Sequence, residues 1–414
     1  MNDYYVRTAC RLCEGKRLRP VIRLADSPPG NHFVSKENLG VEQPSYPLAV
    51  NFCEDCSHLQ LSVVVDPTIL YQKQYSYVSA TSPVFVAHLR QYAQQMVKKF
   101  NLSDANLVID IGSNDGSTLR FFQDAGCTVL GIDPATEIVA QANANGIETL
   151  CDFFNRDVAN KNVGRYGKAS FITSHNACAH IDDLHSVMQG VQEWLADDGV
   201  FVMEVGYLLD VYTNGWFDTI YHEHVDYHSV APLVPFFQRM GMEIFDVEWI
   251  SPQGGSIRVF VQKKNGPHAV QESVARFVEK EKKAGLHEAG TFVQFTARID
   301  HARQSLQTIL EKIKQQGKTI AGYGAPTKAT TLLSYFGLGD ALDFIVEDNR
   351  LKQSLYTPRY HIPVLSVETL YERKPDYLLI LAWNFADDIM KRHQAYQGAG
   401  GKFIVPLPTA RILE

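Results

Sequence analysis

The chain has 414 residues, 45% of them hydrophobic, which is enough apolar material for sizeable cores and more length than one ordinary domain needs, so two or three units are expected. A formal net charge of −7, a pI near 6.1 and the absence of any long Lys/Arg run argue against a nucleic-acid polymer or an anionic membrane as partner. No apolar run of about 18 residues occurs, and the first residues lack a basic stretch followed by an apolar one, so a cytoplasmic protein without membrane spans is expected.

The seven cysteines, an odd number, do not suggest a disulfide framework. Four of them form two Cys-x-x-Cys pairs, Cys10 with Cys13 and Cys53 with Cys56. Such a knuckle lets two thiolates converge on one ion, and two knuckles complete a tetrahedral zinc site. Four thiolates leave no open coordination position, so the zinc is expected to be structural; a redox dithiol is the competing reading, and His32 and His58 are further possible donors. The loop between the knuckles exceeds the roughly 15–20 residues of the common spacing and carries Pro28-Pro29-Gly30. Residues 1–70 are read as a zinc-binding domain.

Tyr71, Tyr75 and Tyr77 then precede helical spacing at Phe85, Leu89, Tyr92 and Met96. These tyrosines are either packing at a domain junction or a hydroxyl donor at a cleft.

The stretch 71–254 reads as an α/β unit. A buried strand from Leu107 breaks at Asp110-Ile-Gly112-Ser-Asn114-Asp115-Gly116, and Leu119-Arg-Phe-Phe122 opens a helix. A second strand ends at Gly131-Ile-Asp133-Pro134, placing an acid about twenty residues on, where a ribose-binding carboxylate belongs. The turn lacks the second glycine of Gly-x-Gly-x-x-Gly, so a dinucleotide pyrophosphate is not expected. Asp152 ends a third strand and suits an adenine amine; His175-Asn176 ends a fourth, with His180 just beyond. His180 is either a surface-loop histidine or a group at the reacting centre.

A strand over 199–205 leads to the densest acid/base run of the chain, Tyr221-His222-Glu223-His224-Val225-Asp226-Tyr227-His228. Imidazole beside carboxylate suits general base chemistry near neutrality. A helical zinc-protease motif would need a histidine four after His222, where Asp226 stands, so a catalytic metal is disfavoured. Because the run follows a strand of an open parallel sheet, it sits at the edge where ligands bind. Beyond it, Gln253-Gly-Gly255-Ser256-Ile-Arg258 finishes the sheet and offers Gln253 and Arg258 to a substrate.

Residues 255–414 carry helical spacing over about 268–316 and then a second strand-turn-helix at Gly322-Tyr-Gly324-Ala-Pro-Thr327-Lys328. The third glycine of a dinucleotide fingerprint is missing, which weakens an NAD reading. Turn amides at a helix start, with Lys328 beside them, suit the diphosphate of a nucleotide-linked substrate. Trp383-Asn384 ends a later strand at the corresponding edge. A degenerate scaffold without ligand is the alternative.

Together, the cysteine knuckles, Asp110-Ile-Gly-Ser-Asn-Asp-Gly116 with Gly131-Ile-Asp133-Pro134, Tyr221-His-Glu-His224, Gly254-Gly-Ser-Ile-Arg258 and Gly322-Tyr-Gly-Ala-Pro-Thr-Lys328 resemble the zinc-containing sugar C-methyltransferases over nearly the whole chain. The resemblance implies an α/β class I methyltransferase Rossmann-like central domain at 71–254, a small zinc-binding domain before it and a C-terminal Rossmann-like domain at 255–414. It implies S-adenosylmethionine at Asp110, Gly112, Asn114, Asp115, Gly116, Asp133, Asp152 and Asn176, and structural zinc on Cys10, Cys13, Cys53 and Cys56. It further implies methylation at C3 of a nucleotide-linked 4-keto-6-deoxysugar, dTDP- or GDP-linked, contacted by Gln253, Arg258, Gly324, Lys328 and Asn384. His224 is then the expected base, oriented by Glu223, with Tyr221, His180 and Tyr75 around the sugar oxygens. An O-methyltransferase, a metal-dependent sugar enzyme and a non-catalytic binding protein are the alternatives.

Overall fold

A computed structural model describes residues 3–71 and 83–413. At the N-terminus, β1 (Tyr4–Val6), β2 (Leu18–Arg23), β3 (Ala49–Cys53), β4 (Leu59–Leu61) and β5 (Val63–Val65) make two small antiparallel sheets, β1 with β5 and β2-β3-β4 in sequence. Cys53 closes β3, Cys56 lies in the loop between β3 and β4, and Cys10 and Cys13 lie in the loop between β1 and β2.

The helix Pro83–Phe100 buries Phe85, Leu89, Tyr92, Ala93 and Met96, one stripe at helical spacing. It packs on a seven-stranded sheet made of β6 (Leu107–Ile111), β7 (Thr128–Asp133), β8 (Thr149–Cys151), β9 (Ala169–His175), β10 (Leu195–Gly206) and, after an excursion, β12 (Met242–Ile250) and β13 (Ser256–Lys263). The order is β12-β13-β10-β9-β6-β7-β8, with β6 to β10 parallel and β13 antiparallel to both neighbours. This is the class I methyltransferase arrangement expected above. Every residue of β6 is buried, which explains why all but Asp110 are apolar. The sheet continues to Lys263, past residue 254 where the sequence suggested a boundary, because β13 fills the gap between β10 and β12.

The excursion holds β11 (Asp226–Tyr227), which joins the N-terminal sheet beside β4 rather than the central one. The long helix Ala289–Gln315 crosses from the N-terminal sheet, where Phe292 meets Phe52 with ring centroids 5.8 Å apart, to the last unit. That unit is a six-stranded sheet ordered β16 (Val364–Ser366), β15 (Ile345–Glu347), β14 (Ile320–Tyr323), β17 (Tyr377–Ile380), β18 (Lys402–Val405), β19 (Arg411–Leu413), parallel except for β19. Strand order reverses between β6 and β9 in one sheet and between β14 and β17 in the other, and loops from both points meet at one cavity of about 900 Å³. Among the described residues no helix is long and apolar enough to cross a membrane.

Candidate active site

The four cysteines of the knuckles lie together, all four Sγ atoms within 4.8 Å of one another. Cys10 and Cys56 are 3.6 Å apart at sulfur and Cys13 and Cys53 are 3.5 Å apart. Zinc–sulfur bonds of about 2.3 Å in a tetrahedron put the sulfurs roughly 3.8 Å from each other, so these four residues fit the ion. The pairing crosses between knuckles, as a shared ion requires. His58 is not a ligand: its Nε2 meets Asp226 Oδ1 at 2.6 Å. His32 Nε2 is 3.3 Å from the Ile69 carbonyl instead.

At one end of the cavity, the carboxyl ends of β6, β7 and β9 supply Asp110, Gly112, Asn114, Asp133 and Asn176, with Asp152 beside them. Gly112 turns the chain with φ +75°, and an added Cβ would stand 2.5 Å from the Ala177 Cβ, so only glycine lets the two strand ends approach this closely. Asp133 accepts from the amides of Asn114 and Ala135, both at 2.9 Å, which fixes the carboxylate and leaves each oxygen one lone pair for a ribose. Asp110 Oδ1 is buried without a hydrogen-bond partner, and so are both ring nitrogens of His175, 4.0 Å away at the nearest. Burial raises the Asp110 and Asp133 carboxyls above their ordinary range. Orphaned polar groups beside a set of carboxylates fit a cationic, polar cofactor, and S-adenosylmethionine is one. Asp115 and Gly116 do not reach the cavity: Asp115 accepts from the Ser117 amide at 3.1 Å, and Gly116, φ +78°, starts the helix that follows.

In the middle stand His180, Tyr221, Glu223 and His224. The His180 and His224 rings face each other with centroids 5.0 Å apart. His224 Nδ1 is 2.8 Å from the Thr219 carbonyl and must donate to it, so Nε2 carries the lone pair, and that nitrogen takes the Tyr221 hydroxyl at 2.7 Å. Glu223 is therefore not the group that orients His224; the Thr219 carbonyl does it instead. Burial lowers His224 to about 4 and His180 well below its ordinary value, so both imidazoles are neutral at physiological pH. Burial pushes Glu223 the other way, to about 7, partly offset by the Lys352 ammonium.

The far end comes from the last unit. Lys328 and Lys352 are the lysines that line the cavity, and no arginine does among the described residues. Lys328 lies between the indoles of Trp383 and Trp216, 4.6 and 5.7 Å from the ring centres, and 3.5 Å from Asp218. Lys352 Nζ donates to the Ala325 carbonyl at 2.8 Å and reaches Asn31 of the N-terminal unit at 3.3 Å. Burial lowers both ammonium groups. Asn384 and the exposed Phe385 complete this end. Gly324 lies outside the lining; with φ +85°, it packs against Ala382, 2.8 Å from an added Cβ. Arg258 also has another place: it is 3% exposed, bonds Glu204 at 3.0 Å and Glu248 at 3.1 Å, and holds the sheet edge rather than a substrate. Tyr75, Tyr77 and the side chain of Gln253 lie outside the described residues.

Sequence reasoning placed His175 at the end of the fourth strand without giving it a role, and missed Lys352 and Asn31. His175 ends the same strand that leads to Asn176, which was the signal for a role; Lys352 and Asn31 sit in loops with no local signal.

Comparison with known proteins agrees with this layout. Residues 10–71 match the zinc binding domain family of methyltransferases, 85–247 a methyltransferase domain family, and 251–408 the C-methyltransferase C-terminal domain family. The chain is 35% identical to the C-methyltransferase NovU of Streptomyces niveus over 405 residues, 98% of this chain and 96% of that one. Among solved structures, an S-adenosylmethionine-dependent methyltransferase from Clostridium acetobutylicum shares 15% identity, with a TM-score of 0.35 over 43% of this chain and 91% of that one. Magnesium protoporphyrin IX methyltransferase from Synechocystis, with bound SAH, shares 16% identity, with a TM-score of 0.34 over 43% and 83%.

Proposed function

The chain belongs to the zinc-containing, S-adenosylmethionine-dependent C-methyltransferases, and on that premise we propose that it methylates C3 of a nucleotide-linked 4-keto-6-deoxysugar. The observation that carries this reading is the charge division of one cavity around a neutral base. Asp110, Asp133 and Asp152 lie at one end, Lys328 and Lys352 at the other, and His224 between. A sulfonium cofactor suits the acids, a diphosphate suits the lysines and the start of the helix Thr327–Phe336, and the sugar between them meets the histidine pair. Bound S-adenosylmethionine supplies a methyl group already electrophilic on its sulfonium, so the protein has to contribute position, deprotonation and anion stabilisation.

A C–H next to a ketone gives up its proton when the oxygen of the resulting enolate is stabilised. His224 Nε2 takes the proton from C3. The Tyr221 hydroxyl that occupies this lone pair in the resting site is released to the sugar oxygens. Glu223, about half protonated near pH 7, donates to the C4 oxygen. His180 lines the opposite side as a neutral imidazole. Residues 1–70 hold zinc, 71–254 with β13 hold the cofactor, and the remainder holds the nucleotide.

The test is incubation with isotopically labelled methyl donor and a panel of dTDP- and GDP-linked 4-ketosugars, followed by NMR of the product. A new carbon–carbon bond at C3 is expected; a methyl ether would point to O-methylation, and no product from any ketosugar would sink the proposal. His224→Ala should abolish transfer while the cofactor still binds, and near-normal turnover would remove His224 from the mechanism.

A further inference from the structure

The facing histidines share a feature that their chemistry does not require. Each is followed two residues later by a carboxylate, His180 by Asp182 and His224 by Asp226. Each carboxylate is held by a side chain from a different cysteine knuckle. Arg11, inside the Cys10–Cys13 knuckle and fully buried, donates from Nε to Asp182 Oδ1 at 2.8 Å. His58, two residues after Cys56 and equally buried, meets Asp226 Oδ1 at 2.6 Å.

The intervening backbone is tied in the same way. β11 pairs antiparallel with β4, Asp226 opposite Gln60 and Tyr227 opposite Leu59, and the Leu61 amide donates to the Val225 carbonyl at 2.9 Å. Gln60 accepts from the Arg11 amide at 2.7 Å, and the Arg11 guanidinium donates to the Leu61 carbonyl at 2.9 Å, so one short strand connects both knuckles to the loop that ends in His224.

We propose that the zinc-binding unit is the positioning element of the catalytic centre. Its two knuckles act through two latches, Arg11 on Asp182 and His58 on Asp226, to set the separation of His180 and His224. The metal fixes the knuckles, the knuckles fix Arg11 and His58, and these fix the two loops that carry the ring pair. This gives Asp226 a function as a positioning residue, and it goes beyond the sugar reading because it depends on the ring pair and not on the acceptor. A displacement of about 1 Å at a reacting group is enough to cost on the order of a hundredfold in rate.

The His58 latch is the cleaner one to test, because Arg7 also reaches Asp182, at 2.9 Å. The zinc-loaded full-length protein is compared with His58→Leu, His58→Gln, Asp226→Ala and the His58→Leu/Asp226→Ala double variant. Measurements are zinc content, cofactor affinity by calorimetry, kcat and KM, and the histidine Cε1–H NMR signals, with His224 assigned from His224→Gln. Expected are retained zinc, cofactor affinity within about twofold of wild type, a displaced His224 signal and a kcat lowered at least tenfold in His58→Leu. His58→Gln, which keeps a donor toward Asp226, should restore most of both, and the double variant should be no worse than either single one. Asp226→Ala removes the acidic side of the latch instead and leaves Arg11 its bond to Asp182, so it decides the question if His58→Leu does not fold. An unmoved His224 signal in zinc-loaded His58→Leu or Asp226→Ala, a cofactor affinity that falls as far as kcat, or additive losses in the double variant would overturn the proposal. The NMR signal and cofactor affinity need no sugar, so failure to methylate any ketosugar would end the substrate reading while leaving the latches to be judged separately.

Discussion

Glu223 is 5% exposed, and burial lifts its carboxyl from 4.5 to about 7. Such a shift is a statement about stability. The folded state holds the proton more tightly than the unfolded chain does, so the favourable contribution is fully present below pH 4.5 and is lost as pH rises through about 7. At about 1.4 kcal/mol per pH unit the whole effect is roughly 3 kcal/mol, of which about 2 kcal/mol falls between pH 5.5 and 8.5. Glu223→Gln cannot ionise and escapes this loss. Urea unfolding of both proteins at pH 5.5 and 8.5 should therefore show the variant gaining about 2 kcal/mol on wild type across that interval, whatever its offset at the lower pH. A stability difference that stays constant between the two pH values would refute the buried, reluctant carboxyl.

Tyr221→Phe removes the 2.7 Å bond to His224 Nε2 and should lower kcat about a hundredfold with cofactor affinity unchanged in calorimetry. Gly254→Ala should destabilise the fold by about 2 kcal/mol or more in urea and shift tryptophan fluorescence, because the new Cβ would stand 1.1 Å from Trp216 Cη2 at a backbone φ of +85°. Removal of zinc by a chelator should make Cys10 and Cys53 available to alkylation, read by mass spectrometry; equal labelling before and after chelation would argue against a shared ion.

The parts of this molecule that could be read in the sequence are those where one strand carries its own signal. β6 is apolar except for Asp110, the residue before its end, so a buried parallel strand and its ligand edge are visible together. The knuckles are legible because sulfur spacing alone defines the chemistry. Arg258 shows the limit. In its local context, after two glycines, it looks available to a substrate, but β13 lies in register with β10 and sets Arg258 directly opposite Glu204, which a linear sequence does not display. Asp226 and Tyr227 are illegible for the same reason: their strand partner, β4, is far away in the chain. Lys352 meets Asn31 only when the last unit folds against the first.

The neighbours Glu223 and His224 were expected to act as an oriented pair, and the structure separates their work in a way that pH can read. His224, lowered to about 4 and fixed by the Thr219 carbonyl, is a free base throughout the range in which the protein can be assayed. It cannot produce a change in rate near neutrality. Glu223, at about 7, can. If its protonated form donates to the enolate oxygen, kcat/KM falls as pH rises through about 7, because the donor is lost while the base is unchanged. Glu223→Gln keeps a neutral N–H donor in nearly the same shape, so the falling limb should flatten while the neutral base remains. A falling limb that persists near pH 7 in Glu223→Gln would assign the titration to another group and leave Glu223 without a part in proton transfer.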